Sequence, residues 1–335
     1  MKVAVTGCGN VSVNHFDALA EIPGAEIVAA VDIKRERAEK YAKITGAKAY
    51  TDYDEMLRTE KPDVVHIATP HWLHTPMAVK ALDSGAHVFL EKPCSVTSEE
   101  ADALAKAQSR SGKQVAVCFQ NRYNDSSVKM KELIDGGTLG GIKSIRAFIT
   151  WDRGADYYSD DWHGTLDKEC GGVLINQAIH TVDLIGFVAG PCRSVTAHVF
   201  NDHLKNVIEV EDTGYMLMDL ECGARALLLA TTAFSENSPV MLEVNLDDAL
   251  LRLEGELLYK ISRDGQTEIL CTISDEEFSG KNYWGHGHKA IIRDFYDCLA
   301  TGRKFSIDAY EGGKALKAVV AAYKSSENNS TEVII

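Results

Sequence analysis

The chain of 335 residues lacks the features of a disulfide-stapled, fibrous, nucleic-acid-binding or membrane-spanning protein. Its eight cysteines, at positions 8, 94, 118, 170, 192, 222, 271 and 298, never come within four residues of one another, so no C-x-x-C zinc or redox pair exists. Cys118, in VAVCF, stands in an apolar run where a reduced buried thiol is the ordinary occupant, and no disulfide framework is expected. Basic residues are outnumbered, 35 Lys and Arg against 49 Asp and Glu, and the net charge of −14 repels nucleic acid and anionic membrane surfaces at long range. A local basic pocket can still take a phosphate-bearing cofactor. No apolar run approaches the roughly 20 residues of a membrane span. The first residues, MKVAVTGCGN, run straight into a strand and a glycine turn, so no signal peptide is expected and a cytoplasmic location is. Neither an internal repeat nor a low-complexity linker is present. At about 150 residues per domain, the length predicts two domains.

The first 120 residues alternate valine-rich runs of strand length (KVAVTG, EIVAAVD, DVVHIATP, HVFLEKP, QVAVCFQ) with helical patterns. The TSEE stretch at 97–100 is a capping box and starts a helix running to about Ser111. This alternation predicts an α/β domain: a doubly wound parallel Rossmann sheet over 1–122, with ligands at the carboxyl ends of its strands. From 123 to 335 the texture changes. Long alternating runs predict an α+β domain with a large, mostly antiparallel open sheet, interrupted by helices over 126–134 and 172–189 and closed by helices over 288–300 and 310–325.

The first strand runs into Gly7-Cys8-Gly9-Asn10-Val11-Ser12, a G-x-G-x-x-G turn with serine in third place. Gly7 permits the tight turn, and Gly9 lets backbone approach a pyrophosphate at the helix start. Alone, the motif reads equally as a plain βα turn. Asp32, 25 residues after Gly7 at the end of the second strand, suits a ribose 2′-hydroxyl and repels a 2′-phosphate. Lys34 and Arg35 pull the other way, and NAD is expected over NADP. Two more strand ends carry polar groups: Ala68-Thr69-Pro70-His71-Trp72-Leu73-His74 and Glu91-Lys92-Pro93. A lysine in such a place loses hydration beside a nicotinamide, which lowers its pKa and lets it exchange protons or polarise a hydroxyl.

GCGNVS, Asp32, ATPHWLH, Glu91-Lys92-Pro93 and GGVLINQAIHTVDL together make the chain resemble the Gfo/Idh/MocA family, the glucose–fructose oxidoreductase and inositol dehydrogenase relatives. The resemblance spans nearly the whole chain. It implies an NAD(P)-binding first domain and a second domain whose open sheet covers the nicotinamide and forms homodimers or homotetramers. It assigns Lys92 and His180 to the hydroxyl proton during hydride transfer. Asn176, where many sugar and inositol dehydrogenases carry aspartate, hydrogen-bonds substrate but carries no proton. On an α-helix Asn176 and His180 are i and i+4 and face one way, and Asp183 supports that helix. The resemblance also places Asn10, Val11, Ile33, Thr69, Pro70, His74, Glu91 and Gln120 around the cofactor, with Arg122 read equally as structural. Tyr157, Tyr158, Trp162 and Tyr283 are candidate substrate contacts, Tyr157, Tyr158 and Trp162 being read equally as packing. His163 follows Trp162 where relatives commonly have arginine, which removes a cation from that loop. His286-x-His288 lacks a third ligand, and no metal is expected.

The expected activity is that of an NAD-dependent oxidoreductase acting on a secondary hydroxyl or ketone of a sugar, cyclitol or sugar conjugate, with C3 of a nucleotide-linked amino sugar among the options. Two alternatives share these residues. One is a redox-neutral glycosidase working by transient C3 oxidation and elimination, and the other is a non-catalytic NAD-binding sensor.

Overall fold

The structure, a computed structural model, describes residues 1–272 and 287–335. Its contacts divide the chain into two compact units. The first joins Met1–Gln120 to a later stretch ending at Gly313, and the second runs from Asn121 and takes in Lys314–Ile335.

In the first unit β1 (Lys2–Thr6), α1 (Ser12–Ala20), β2 (Glu26–Val31), α2 (Arg35–Thr45), β3 (Lys48–Tyr50), α3 (Tyr53–Glu60), β4 (Val64–Ile67), α4 (His74–Asp83), β5 (His87–Leu90), α5 (Ser98–Ser111) and β6 (Val115–Val117) alternate as the sequence predicts. The strands lie in the order β3-β2-β1-β4-β5-β6, all parallel. The order reverses between β1 and β4, the point where open α/β sheets bind ligands. The central strands are buried on both faces: Val3, Val5, Val64, Val65, Ile67, Val88, Phe89 and Leu90 expose nothing, which is why they read as continuous valine-rich runs. Helix α5 starts on the capping box. The Thr97 side chain accepts from the Glu100 N–H, and the Glu100 carboxylate reaches back to the Val96 N–H.

The second unit begins with α6 (Asp125–Asp135) and β7 (Ile142–Thr150). The helix expected over 172–189 is two pieces: a π-helical turn at Leu174–Ala178, then α7 (Ile179–Ala189). That turn sets Asn176 on a different helical pitch from His180, so α-helical i,i+4 alignment does not describe the pair. Then come β8 (Cys192–Phe200), β9 (Thr213–Leu220), β10 (Arg225–Thr231), β11 (Met241–Leu246), β12 (Ala249–Glu254), β13 (Leu257–Ser262) and β14 (Thr267–Cys271). Helices α8 (Gly287–Thr301) and α9 (Ala309–Glu327) and the short β15 (Val333–Ile334) end the chain. The nine-stranded sheet runs β14-β13-β12-β11-β7-β10-β9-β8-β15. It is antiparallel except where β10 lies parallel to β7.

A split into two contiguous stretches at 122/123 misses the second crossing. Helix α8 and the residues after it pack with the first unit: Lys289 pairs with Glu21, just past the end of α1, at 2.5 Å, and the Val117 N–H donates to the Ile307 carbonyl at 2.9 Å. The division then falls inside α9. All eight cysteines are free thiols. Among the described residues, no helix is long and apolar enough to cross a membrane.

Candidate active site

In the first unit the candidate residues gather at the carboxyl ends of β1, β2, β4, β5 and β6. Gly7 has φ +84°, and a Cβ there would lie 2.4 Å from the Ala68 carbonyl oxygen beyond β4, so only glycine lets the turn approach the neighbouring strand end. Among the described residues, a Cβ at Gly9 would meet nothing within 4 Å. Ser12, fully buried, donates its hydroxyl to the Gly9 carbonyl at 2.7 Å and folds the turn into α1. Among the described residues no side chain caps α1, so its N-terminal dipole faces the space beside Gly9. Asp32, nearly buried, accepts from the Cys8 N–H at 2.9 Å with one oxygen and from the Lys34 N–H at 2.8 Å with the other. Asp32 thus also ties the glycine turn to the end of β2. An uncapped helix start, open space at the second glycine and a carboxylate at the β2 end fit a dinucleotide. Asn10 and Ile33 are exposed beside them, Ile33 at 84%.

Thr69 and Pro70 follow β4 and lead through a 3₁₀ turn, His71–Leu73, into α4. His74 is buried, with Nδ1 2.6 Å from the Pro93 carbonyl and Nε2 2.6 Å from the Thr69 carbonyl, and so joins the loop after β4 to the loop after β5. Lys92 is half-buried beyond β5, and its N–H faces the Glu91 carboxylate at 3.3 Å. Gln120, buried, opens the 3₁₀ turn after β6.

Glu91 is the end of a buried chain of polar groups that no sequence motif marks. The Tyr296 hydroxyl meets His66 Nε2 at 3.0 Å, His66 Nδ1 meets His15 Nδ1 at 2.9 Å, and His15 Nε2 meets Glu91 Oε1 at 3.1 Å. A carboxylate only accepts. His15 Nε2 therefore donates to Glu91, closing the line that runs from Tyr296 through His66. Burial works to raise the Glu91 pKa, but hydrogen bonds and charge from His15 and His288 hold it well below the usual carboxylate range. Burial pushes His66 well below the usual histidine value. Glu91, Cys118 and His288 bring one potential metal ligand each to within 4.8 Å of one another. Burial and the Glu91 charge, however, push the Cys118 thiol well above its ordinary range, which suits a protonated thiol and not a thiolate ligand.

In the second unit, the π turn that carries Asn176 is seated by a buried carboxylate. Glu211 accepts from the N–H groups of Gly172 at 2.8 Å and Leu174 at 3.0 Å, and from the Tyr323 hydroxyl at 2.9 Å. A Cβ on Gly172 would stand 1.9 Å from the Glu211 carbonyl oxygen, which accounts for glycine in the GGVLINQAIH motif. The Asn176 amide donates to the buried Glu169 carboxylate and faces the Tyr157 hydroxyl at 3.4 Å, while the Gln177 amide faces the same hydroxyl at 3.3 Å. His180, half-buried, follows in α7. Asp183 is buried and takes both oxygens of a bidentate pair with Arg122, at 2.7 and 2.6 Å, so Arg122 is structural.

Tyr158 is buried in a packed cluster. Its ring packs on Ile208 and Val210, its hydroxyl meets Thr232 at 3.3 Å, and burial pushes its phenol up to about 12. The neighbour Tyr157 is the tyrosine that reaches Asn176. Trp162 is half-buried against His163, their rings 3.7 Å apart. Tyr283 and His286 lie outside the described residues.

Residues 1–119 match the family described as an oxidoreductase family with an NAD-binding Rossmann fold, and 127–252 match the C-terminal domain of the same family. Inositol 2-dehydrogenase of Salmonella typhimurium is 34% identical over 343 residues, spanning 100% of this chain and 96% of that protein. The chain belongs to the Gfo/Idh/MocA family. Glucose-6-phosphate 3-dehydrogenase of Bacillus subtilis is 28% identical over 188 residues, 56% of this chain and 53% of that enzyme. The crystal structure of the WlbA dehydrogenase from Bordetella pertussis, in complex with NADH and UDP-GlcNAcA, superposes with a TM-score of 0.86 at 27% identity, covering 100% of this chain and 98% of that one. This Gfo/Idh/MocA member is an NAD-dependent oxidoreductase of CH–OH groups.

Proposed function

We propose that the chain transfers hydride between NAD and a secondary hydroxyl or ketone of a sugar, cyclitol or sugar conjugate. The observation that carries this is the common edge of the first unit: Lys92, beside the ionised Glu91, stands at the carboxyl end of the same sheet whose glycine turn and Asp32 fit the dinucleotide. The relatives named above act on polyols of this class, or are bound to a nucleotide sugar. Gly7, Gly9 and the start of α1 hold the pyrophosphate, Asp32 takes the ribose hydroxyl, and Thr69, Pro70, His74 and Gln120 shape the nicotinamide end. Bound NAD supplies the hydride acceptor or donor. His180 takes the hydroxyl proton, Lys92 assists by polarising the same oxygen, and Asn176 orients the substrate hydroxyl. The first unit is the cofactor domain and the second the substrate domain. Tyr157 and Trp162 are the aromatic residues offered to a sugar C–H face. The open face of the nine-stranded sheet makes a homo-oligomer.

The test is native mass spectrometry of the freshly purified protein for retained NAD, followed by a panel of inositols, hexoses, glycosides and nucleotide sugars. Absorbance at the reduced-nicotinamide band and product release are followed together. Reduction of NAD by one polyol class is expected. In Lys92→Ala and His180→Ala, turnover should fall by about 10²-fold or more with NAD binding kept; unchanged turnover in both removes the assignment. Aglycone release from tightly retained NAD without net reduction would identify a redox-neutral glycosidase instead.

A further inference from the structure

Glu169 is buried, 1% exposed, in the segment that leads to the π turn, and both its oxygens are engaged. One accepts from the Gly164 N–H and the other from the Asn176 amide. The Asn176 nitrogen also faces the Tyr157 hydroxyl. A carboxylate accepts and does not donate, so the amide must turn its nitrogen toward Glu169 and Tyr157, and its oxygen lies on the opposite side. An aspartate at 176 would bring two carboxylates into hydrogen-bond contact in a buried place, where both cannot stay ionised.

We propose that Glu169 is a positioning residue of the active site, which requires a neutral donor at position 176 and sets the rotation of the Asn176 amide. Held this way, Asn176 meets a substrate hydroxyl with its oxygen and binds it as a donor. That consequence rests on the hydride-transfer reading above; the pairing itself does not. It also links the loop carrying Tyr157 and Gly164 to the turn carrying Asn176. The charged and titratable groups around this pair are Glu211, whose charge together with that of Glu169 reaches both Tyr158 and Tyr323, and Arg153 and His163 around Tyr157.

The experiment compares wild type, Asn176→Asp and the double variant Asn176→Asp/Glu169→Gln by thermal unfolding from pH 5.5 to 8, and by kcat/KM on the reactive member of the panel. In the double variant, the glutamine nitrogen donates to the new carboxylate at position 176 and its oxygen accepts from Gly164, so the charge changes places and the pair survives. Asn176→Asp forms a pair that shares a proton, which raises a folded-state pKa. Its stability is therefore kept at the acid end and lost as pH rises, and its Tm should fall relative to wild type by about 5 °C between pH 5.5 and 8. The double variant should follow the wild-type pH profile, and its kcat/KM at pH 8 should exceed that of Asn176→Asp by about tenfold or more. A wild-type pH profile for Asn176→Asp, or a double variant no better than the single one, overturns the proposal. If Asn176→Asp does not fold, recovery by Glu169→Gln supports the pairing, and a double variant that also fails to fold overturns it. The thermal readout needs no substrate, so it fails separately from the functional reading.

Discussion

His15 and His66 are 51 residues apart in sequence, yet meet nitrogen to nitrogen inside the first unit. Neither belongs to a motif, since their partners come from α1, β4, β5 and α8. The chain they form makes stability sensitive to acid, and the sign follows from two shifts. His66 has a folded pKa well below 6.5, so below that pH the unfolded chain binds a proton that the folded chain refuses. Glu91 has a folded pKa well below 4.5, so its contribution is present above that value and lost as pH falls through the folded one. Both make stability drop on acidification, first below about 6.5 and again below about 4.5. Thermal unfolding between pH 7.5 and 4 should show this, and His66→Asn should flatten the upper part; an unchanged slope there would discount the histidine. Asp32 carries a second residue-scale prediction. Its replacement by alanine should weaken NAD at least tenfold more than NADP in a binding titration, because only NAD offers a free 2′-hydroxyl. Equal losses would leave Asp32 with only its backbone role at Cys8 and Lys34. Its position was legible in the sequence; that its oxygens hold the turn was not, because that depends on how closely β1 and β2 approach.

At the scale of elements, local signals served well wherever local chemistry decides. The capping box begins α5, and Gly112 ends it in the left-handed conformation, as the TSEE and glycine signals imply. The helix over 172–189 shows the opposite case. Apolar periodicity predicts one α-helix, but Glu211 holds its first N–H groups, Glu169 holds Asn176, and the segment opens with a π turn. Those carboxylates come from the segment before the turn and from the approach to β9, and helical periodicity carries no sign of them. Downstream, Arg122 and Asp183 fix α7. Their side chains are 10% and 1% exposed, and the bond is bidentate. Breaking such a pair strands a buried charge, so Arg122→Ala should destabilise the protein by about 3 kcal/mol in chemical denaturation. Arg225, paired with Asp219 at the surface, is the control, and Arg225→Ala should leave the unfolding midpoint nearly where it is. Similar losses in the two variants would contradict a buried clamp.

At the scale of the whole molecule, the nine-stranded sheet carries an exposed apolar patch on β9 and β10, beside the charged row Arg146, Glu243 and Arg252. Tyr215, Leu217 and Leu227 expose 43%, 37% and 44%, and Leu217 pairs directly with Leu227 across β9 and β10. A contiguous apolar patch of this kind suits a self-complementary interface between copies of the chain. Light scattering should give an oligomer for the wild type and a smaller species for Leu217→Glu/Leu227→Glu; an unchanged mass would place the interface elsewhere. Whatever depends on near neighbours is written in the sequence: the strand–helix alternation of 1–120, the glycine turn, the helix starts and stops, and the inward–outward alternation of the second sheet. The family motifs single out Lys92, Asn176 and His180. It took packing to establish that α8 returns to the first unit, that Tyr296 completes the line from His66 to Glu91, that Tyr157 and not Tyr158 reaches Asn176, and that Glu169 holds its amide. Each of these is a pairing between residues made neighbours by the fold, and a buried polar group records in its own sequence neighbourhood only that it needs a partner, not which one it will find.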